Sequence, residues 1–325
     1  MVAEVFVRAG PGEQRVSLTD NGKLIGVLID RANDNSFIDG IYLGRISGIN
    51  RDLNAAFVDI GLDKMGFLAA VDAQNFDCSR ERPKPIGQLF TEGSNVLVQV
   101  TRDPNDGKGA KLTTRWGIST ANLVITPGRP GISASRHIDD QRVSDGLVKM
   151  FESMSQPDVG FIIRTRAADA SREILIREAA MLSEDWRHIK SLMKSASAPS
   201  VLLEPSVPIL RFFQEIYDSN LKRVLVEDHQ FFWEMQKIFK YRFPELLSVL
   251  EIYNDIEEIF SIHELNDQWE QIFSKKVQLP SGGSLIIEET AALTAVDVNS
   301  GKRIQGMHPE DSNLAINLEA VRELA

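Results

Sequence analysis

Short apolar runs separated by Gly, Asn and Asp fill residues 39–114. No other sequence feature constrains the fold of its segment as strongly as this pattern does. Four such runs occur, at residues 41–46, 55–61, 66–68 and 95–100. Strands of this length with turn residues between them are typical of small closed barrels. We therefore expect a five-stranded barrel of the OB type in this segment.

Further strands are predicted at both ends of the chain. Asp20-Asn21-Gly22 and Pro280-Ser281-Gly282-Gly283 each separate two apolar runs, as hairpin turns do. Other apolar runs predict strands, and the helical period predicts four helices. These strands are expected at residues 123–127, 160–165, 224–227 and 247–253, and the helices at residues 139–154, 170–195, 228–241 and 255–272. The mixture predicts an α+β protein, and 325 residues are enough for two or more domains.

Composition narrows the class of protein. An apolar content of 43% with 25% charged residues is ordinary for a globular protein. No apolar run approaches the roughly 20 residues of a membrane span, and the N-terminus lacks the apolar core of a signal peptide. The one cysteine, Cys78, cannot form an internal disulfide, so we expect a reducing cytoplasm.

The charge of the chain argues against an indiscriminate nucleic-acid binder, because the net charge is −10. The acidic excess is concentrated in residues 206–273, which contain 13 acidic and 6 basic residues. The other segments are near neutral and leave room for local basic surfaces. Within the acidic segment, the residues around 257–270 alternate with an apolar stripe that begins at Ile256, so a solvated helix face is favoured over a metal cluster there.

A carboxylate and an amide lie two residues apart near the C-terminus, where an apolar strand ends in Asp297-Val298-Asn299-Ser300-Gly301. Alternate side chains of a strand share a face, so Asp297 and Asn299 should point the same way. Their oxygens are hard ligands suited to Mg²⁺. The spacing is equally consistent with an Asx-turn that closes a core strand.

Three stretches carry a resemblance to a known family. They are LPSGGSLIIEETAALTAVDVNSGK at 279–302, GIYLGRISGINRDLNAAFVDIGLDKMGFL at 40–68 and NLAINLEAVRELA at 313–325. Taken in their order along the chain, they resemble the ribonuclease E/ribonuclease G family of bacterial endoribonucleases, and the match extends over the whole chain. The resemblance implies four units: a non-catalytic ribonuclease-H-like fold from residues 1–38 plus 206–273, an RNA-binding OB-fold at 39–114, a 5′-end sensor at 115–205 and part of a DNase-I-like catalytic unit at 274–325.

The resemblance also implies roles for individual residues. The expected catalytic residues are Asp297 and Asn299, with Asp297 on Mg²⁺; the expected RNA contacts are Phe57, Phe67, Lys108, Lys302 and Arg303; and the expected 5′-phosphate site is Arg164 and Thr165 with Val124 beside them. From residue types alone, both Phe side chains fit a barrel core and Arg164 fits an ordinary surface charge. The family often has Gly where Thr120 stands, which leaves the shape of the phosphate site open.

The implied activity is Mg²⁺-dependent hydrolysis of single-stranded, AU-rich RNA in mRNA decay and in rRNA and tRNA processing, with a preference for 5′-monophosphate ends. The family's second catalytic Asp and its zinc-binding cysteines would follow Ala325, so Zn²⁺ is expected only in a full-length member. We therefore expect these 325 residues to bind RNA but to cleave it poorly.

Expected partners are single-stranded RNA, further copies of the chain (a dimer or tetramer at full length) and the proteins of an RNA-decay assembly. The expected location is the bacterial cytoplasm, with peripheral association with the inner membrane. The alternative from another class is an RNA-binding module, or a scaffold of such an assembly, that has no turnover of its own.

Overall fold

The computed structural model describes residues 3–31, 34, 36–73, 84–105, 107–153, 158–216, 221–290, 293–301 and 309–324. The strands in these ranges are β1 Ala3–Gly10, β2 Glu13–Asp20, β3 Lys23–Arg31, β4 Ile41–Asn50, β5 Ala55–Asp59, β6 Gly66–Ala69, β7 Asn95–Arg102, β8 Lys111–Thr113, β9 Ile118–Ser119, β10 Leu123–Pro127, β11 Gly131–Ala134, β12 Val159–Ile163, β13 Ser200–Leu203, β14 Leu221–Val226, β15 Leu250–Ile252, β16 Lys276–Gln278, β17 Ser284–Glu289 and β18 Thr294–Asn299. The α-helices are α1 Ile86–Leu89, α2 Gln141–Glu152, α3 Arg172–Met193, α4 Pro208–Ile216, α5 His229–Arg242, α6 Ile259–Ile262, α7 Leu265–Ile272 and α8 Pro309–Leu324. In these ranges, no helix combines the length and the apolar character that crossing a membrane requires.

The first sheet joins the N-terminus to a distant segment. Its order is β15-β14-β1-β2-β3, in which β1 to β3 are antiparallel while β14 and β15 run parallel to β1. The predicted hairpin at its edge is confirmed, because Asn21 and Gly22 have φ of 50° and 79°. Two successive positive φ values belong to the turn type that matches the twist of a hairpin.

Alternation along β1 supplies both faces of this sheet. Val5 and Val7 lie in one core with Phe213 of α4 and Phe239 of α5. Phe6 points to the opposite face, in a second core with α6 and α7. The sheet therefore has a helical layer on each side.

The predicted barrel is confirmed. Strands β4-β5-β6-β8-β7 pair in that order, and β7 pairs back with β4, so the sheet closes on itself. Its interior is apolar and fully enclosed, with Ile46, Val58, Leu68, Val98 and Leu112 each at most 1% exposed. Strand β13 adds to β4, so that residues 200–203 join the sheet of the barrel.

Two smaller sheets complete the fold. Strands β11-β12-β10-β9 form a sheet whose core is shared with α2 and α3. Strands β16-β17-β18 form an antiparallel sheet, and α8 packs on it through Ile316 and Ala320. The molecule is thus an α+β protein built around a closed barrel, while the exact limits of the four predicted units stay predictions.

Two details of the sequence reading in the acidic segment were wrong. Residues 244–249 form a 3₁₀-helix, and the strand predicted from 247 begins only at Leu250. Pro244 opens this turn of helix, where its fixed φ is accommodated without loss of a hydrogen bond. The helix predicted at 255–272 is two short helices, because Glu264 between them has a left-handed φ of 52°. Ile256 lies outside both and is fully exposed rather than part of the apolar stripe.

Candidate functional site

Asp297 and Asn299 lie side by side on β18, as the period of a strand predicts. The Nδ2 of Asn299 donates to the Oδ2 of Asp297 over 2.9 Å, and both residues are exposed. The strand continues through both residues and ends at Asn299, slightly later than the sequence indicated. Because the pair is on an exposed face, its oxygens are accessible to a ligand from solvent.

The sheet around this pair is fixed by a tight turn. Asp297 is in register with Ile286 of β17, and Asn299 with Ser284. Gly301 has φ of 61°, and a Cβ there would meet the carbonyl oxygen of Gly282 at 2.4 Å. Only glycine therefore permits the chain that leaves β18 to pass this close to the β16–β17 turn.

The pair suits a magnesium ion. Mg²⁺ commonly keeps several waters and is held through one or two carboxylates and substrate phosphates. One exposed carboxylate beside an amide matches that pattern, since a half-turn of the Asn299 amide presents its Oδ1 in place of Nδ2. Across the ranges that the structure describes, no group of three or more His, Cys, Asp or Glu could hold a metal. Lys302 and Arg303, the other residues predicted near this site, lie outside the described residues.

Phe57 and Phe67 form an aromatic pair on the outer face of the barrel. They are cross-strand partners on β5 and β6, with ring centroids 6.2 Å apart and edge-on geometry. Both are half-buried, whereas Val58 and Leu68 next to them point into the closed core. The alternative that these two rings fill the barrel is therefore wrong.

Lys108 lies on a loop held close to this aromatic pair. The loop is a tight turn, because Lys108 and Asn105 exchange both backbone hydrogen bonds. A Cβ on Gly109 would meet the carbonyl oxygen of Met65 at 1.8 Å, so glycine is needed where the loop passes the start of β6. Lys111, two residues after Gly109, is the register partner of Phe67 on β6. The exposed Lys108 is thus presented on the same part of the barrel as the rings.

Arg164 and Thr165 follow β12 directly, and the structure places a second hydroxyl beside them. Arg164 is half-buried and Thr165 is exposed. The Oγ of Ser135 lies 2.8 Å from the Oγ1 of Thr165. Val124, half-buried on β10, is the register partner of Ile162 two residues before Arg164. Val124 therefore lies on the strand next to the one that Arg164 and Thr165 follow.

Ser135 was missed by the sequence reading, which predicted no strand immediately before it. It comes directly after β11, which pairs in parallel with β12. Its backbone N–H donates to the carbonyl of Ile163, which brings its hydroxyl to Thr165.

A buried polar cluster lies behind Arg164. The carboxylate of Glu178 on α3 is 2% exposed and accepts hydrogen bonds from Thr120 and Asn122 in the turn between β9 and β10. Burial raises the pKa of the Glu178 carboxyl above its ordinary value, although the hydrogen bonds from Thr120 and Asn122 oppose the shift. Sequence patterns gave no sign of this cluster, because 56 residues separate Asn122 from Glu178.

A closed barrel of the OB type with an aromatic pair and a lysine on its outer face is typical of proteins that bind single-stranded nucleic acid. Comparison with known proteins narrows that class. Residues 117–325 match the family described as Ribonuclease E/G family. This chain belongs to the ribonuclease E/G family.

The alignments with its relatives extend over nearly the whole of this chain. The chain is 31% identical to Ribonuclease G of Salmonella typhimurium and 32% identical to Ribonuclease G of Escherichia coli, and each alignment covers 100% of this chain and 68% of the relative. It is 32% identical to Ribonuclease E of Haemophilus influenzae over 96% of this chain and 34% of that relative. The chain thus spans about two thirds of the ribonuclease G relatives and one third of the ribonuclease E relative.

Proposed function

We propose that this chain binds single-stranded RNA on its barrel and contributes Asp297 and Asn299 to a Mg²⁺-dependent endoribonuclease site. The observation that carries the proposal is the exposed carboxylate–amide pair on β18 in a member of the ribonuclease E/G family. The proposed substrates are AU-rich single strands in mRNA decay and in rRNA and tRNA processing.

Each surface has a physical role in this proposal. The half-buried rings of Phe57 and Phe67 offer apolar faces on which unpaired bases stack, while Lys108 offers a cation to the backbone. Asp297 and the Asn299 oxygen would hold the metal against a phosphate. The chemistry that Mg²⁺ would supply at these two oxygens is polarisation of the scissile phosphate and a lowered pKa of a bound water.

The proposed preference for 5′-monophosphate ends depends on Arg164 and Thr165. A guanidinium offers a planar fork of donors that matches a terminal phosphate, and a hydroxyl adds one further donor. The Ser135 hydroxyl lies 2.8 Å from that of Thr165, so one hydroxyl donates to the other and the pair keeps one O–H donor for the phosphate. Val124 would form the apolar wall of the site.

Substitution of Asp297 tests the catalytic part of the proposal. In the intact protein, Asp297→Asn should lower Mg²⁺-dependent cleavage of a labelled single-stranded RNA roughly 100-fold or more, because a group that stabilises transition-state charge typically contributes that much. RNA affinity should not change, since the barrel residues remain.

Glu289→Gln is the matched control, because Glu289 is an exposed carboxylate on the neighbouring strand β17. Its cleavage rate should equal that of the unsubstituted protein. Unchanged cleavage by Asp297→Asn would remove the catalytic assignment and leave the RNA-binding scaffold as the function.

A further inference from the structure

We propose that Glu178 is a positioning residue for Arg164 and so sets how strongly the protein distinguishes a 5′-phosphate from a 5′-hydroxyl. This inference rests on the proposed phosphate-binding role of Arg164. It concerns a residue of α3 that no sequence motif singled out.

The turn between β9 and β10 is fastened to Glu178 on its inner side. The Oγ1 of Thr120 donates to Oε2 of Glu178 over 2.5 Å, the N–H of Asn122 donates to the same oxygen over 3.2 Å, and the Nδ2 of Asn122 donates to Oε1 over 2.9 Å. Thr120, Asn122 and Glu178 are each at most 4% exposed. One buried carboxylate thus accepts three hydrogen bonds from one short turn.

The carbonyl oxygens of the same turn hold Arg164. The backbone N–H of Arg164 donates to the carbonyl of Asn122 over 2.8 Å, and Nη1 of its guanidinium donates to the carbonyl of Thr120 over 2.9 Å. The turn therefore connects the carboxylate of Glu178 directly to the guanidinium of Arg164. When the turn is fixed, one donor of the guanidinium is committed and the direction of the others is set.

This arrangement matters for affinity because an arginine side chain has considerable rotamer freedom. Ordering such a side chain upon binding costs free energy, and a guanidinium already oriented in the free protein avoids much of that cost. The hydroxyl of Thr120 points inward to Glu178, so it serves the turn rather than the phosphate. Helix α3 is itself held in the core through Leu175, Ala179 and Leu182, which makes it a rigid support for the carboxylate.

The test measures the ratio of dissociation constants for 5′-hydroxyl and 5′-monophosphate forms of one single-stranded RNA of roughly ten nucleotides. Arg164→Gln gives the value of the ratio without the guanidinium. Glu178→Ala should lower the ratio about tenfold, which corresponds to about 1.4 kcal/mol of phosphate binding. Affinity for the 5′-hydroxyl RNA should stay the same, because the barrel is untouched.

Two further variants separate a role of Glu178 in positioning Arg164 from a role in the stability of the fold. Glu178→Gln should keep the ratio within about twofold, because Asn122 can turn its amide so that its unpartnered Oδ1 accepts from the new amide. Ile189→Ala removes a buried side chain three turns further along α3, so it should lower the melting temperature but leave the ratio unchanged.

The outcomes are distinct. If Arg164→Gln leaves the ratio unchanged, the 5′-phosphate site fails and this inference fails with it. If Arg164→Gln lowers the ratio but a folded Glu178→Ala does not, only the positioning role is overturned. If Glu178→Ala does not fold, Thr120→Val decides: it removes one of the three donors and should lower the ratio, and an unchanged ratio overturns the inference.

Discussion

At the scale of single residues, the direction of a side chain decides its role. Phe57 and Phe67 are large aromatics in a small barrel, and residue type alone favoured a core position for both. Strand alternation puts Val58 and Leu68 inside, so the two rings face outward together. Two half-buried rings on the outside of a closed barrel present apolar faces on which bases can stack.

Replacing either ring should weaken RNA binding without affecting the fold. We expect Phe57→Ala or Phe67→Ala to weaken binding of a single-stranded RNA by about 1–3 kcal/mol, the usual contribution of one base stacked on an aromatic ring. Fluorescence anisotropy with a labelled RNA measures it. Trp233→Ala is the control, since Trp233 on α5 is 57% exposed but lies outside the barrel. Equal losses from all three variants would contradict the assignment.

The residues of the candidate site were predictable to different degrees. Asp297 and Asn299 share a face because a strand has period two, and that needed only their spacing. Arg164 at a strand end was visible as well. Ser135 and Glu178 were not, because each meets its partner through the pairing or packing of segments distant in sequence. The local period of a helix or strand carries no information about contacts between segments that are distant in sequence.

At the scale of elements, the positions of turns were predicted better than the positions of breaks within helices. Glycine-containing turns such as Asn21-Gly22 have a distinct chemistry, and the hairpins appeared where expected. The break at Glu264 had no such signal, because a left-handed glutamate is set by its surroundings. The break matters, since it lets α7 turn back onto the first sheet.

One buried hydrogen bond fastens α7 to that sheet. The Nε1 of Trp269 donates to the Oγ of Ser17 over 2.7 Å, and both residues are at most 3% exposed. Ser17→Ala leaves this donor without a partner, which should lower the free energy of unfolding by about 1–3 kcal/mol. Urea denaturation measures the change.

A double-substitution cycle tests the pairing itself. Trp269→Phe removes the donor, so adding Ser17→Ala to it should cost less than Ser17→Ala costs alone. Additive losses would show that the two side chains act independently and that the hydrogen bond is not what couples them.

At the scale of the whole molecule, the net charge of −10 disfavours binding of the negatively charged RNA backbone. Association must therefore depend on local cations, and Lys108 is an exposed cation on the loop that leads to Lys111, the register partner of Phe67. Single-stranded contacts release counterions, so the logarithm of the binding constant falls with the logarithm of salt by about 0.7 per phosphate neutralised.

Loss of Lys108 should change this salt dependence. We expect Lys108→Gln to reduce the magnitude of the slope by about 0.7, the value for one lost phosphate contact. Lys23→Gln is the control, because Lys23 is exposed on β3 in the other sheet. Titrations at several salt concentrations give both slopes, and identical slopes for the two variants would remove Lys108 from the RNA contact.

The first sheet takes its strands from two distant parts of the chain, with Ala3 of β1 in register with Leu221 of β14. During translation, the hairpins of β1 to β3 leave the ribosome long before their parallel partner exists, by roughly ten to forty seconds at ordinary elongation rates. Every strand of the barrel emerges within that interval, so the barrel can close first. Until β14 arrives, one side of β1 presents unpaired backbone groups to other nascent chains. The order of synthesis thus lets the barrel be completed before the sheet that contains the first strand of the polypeptide.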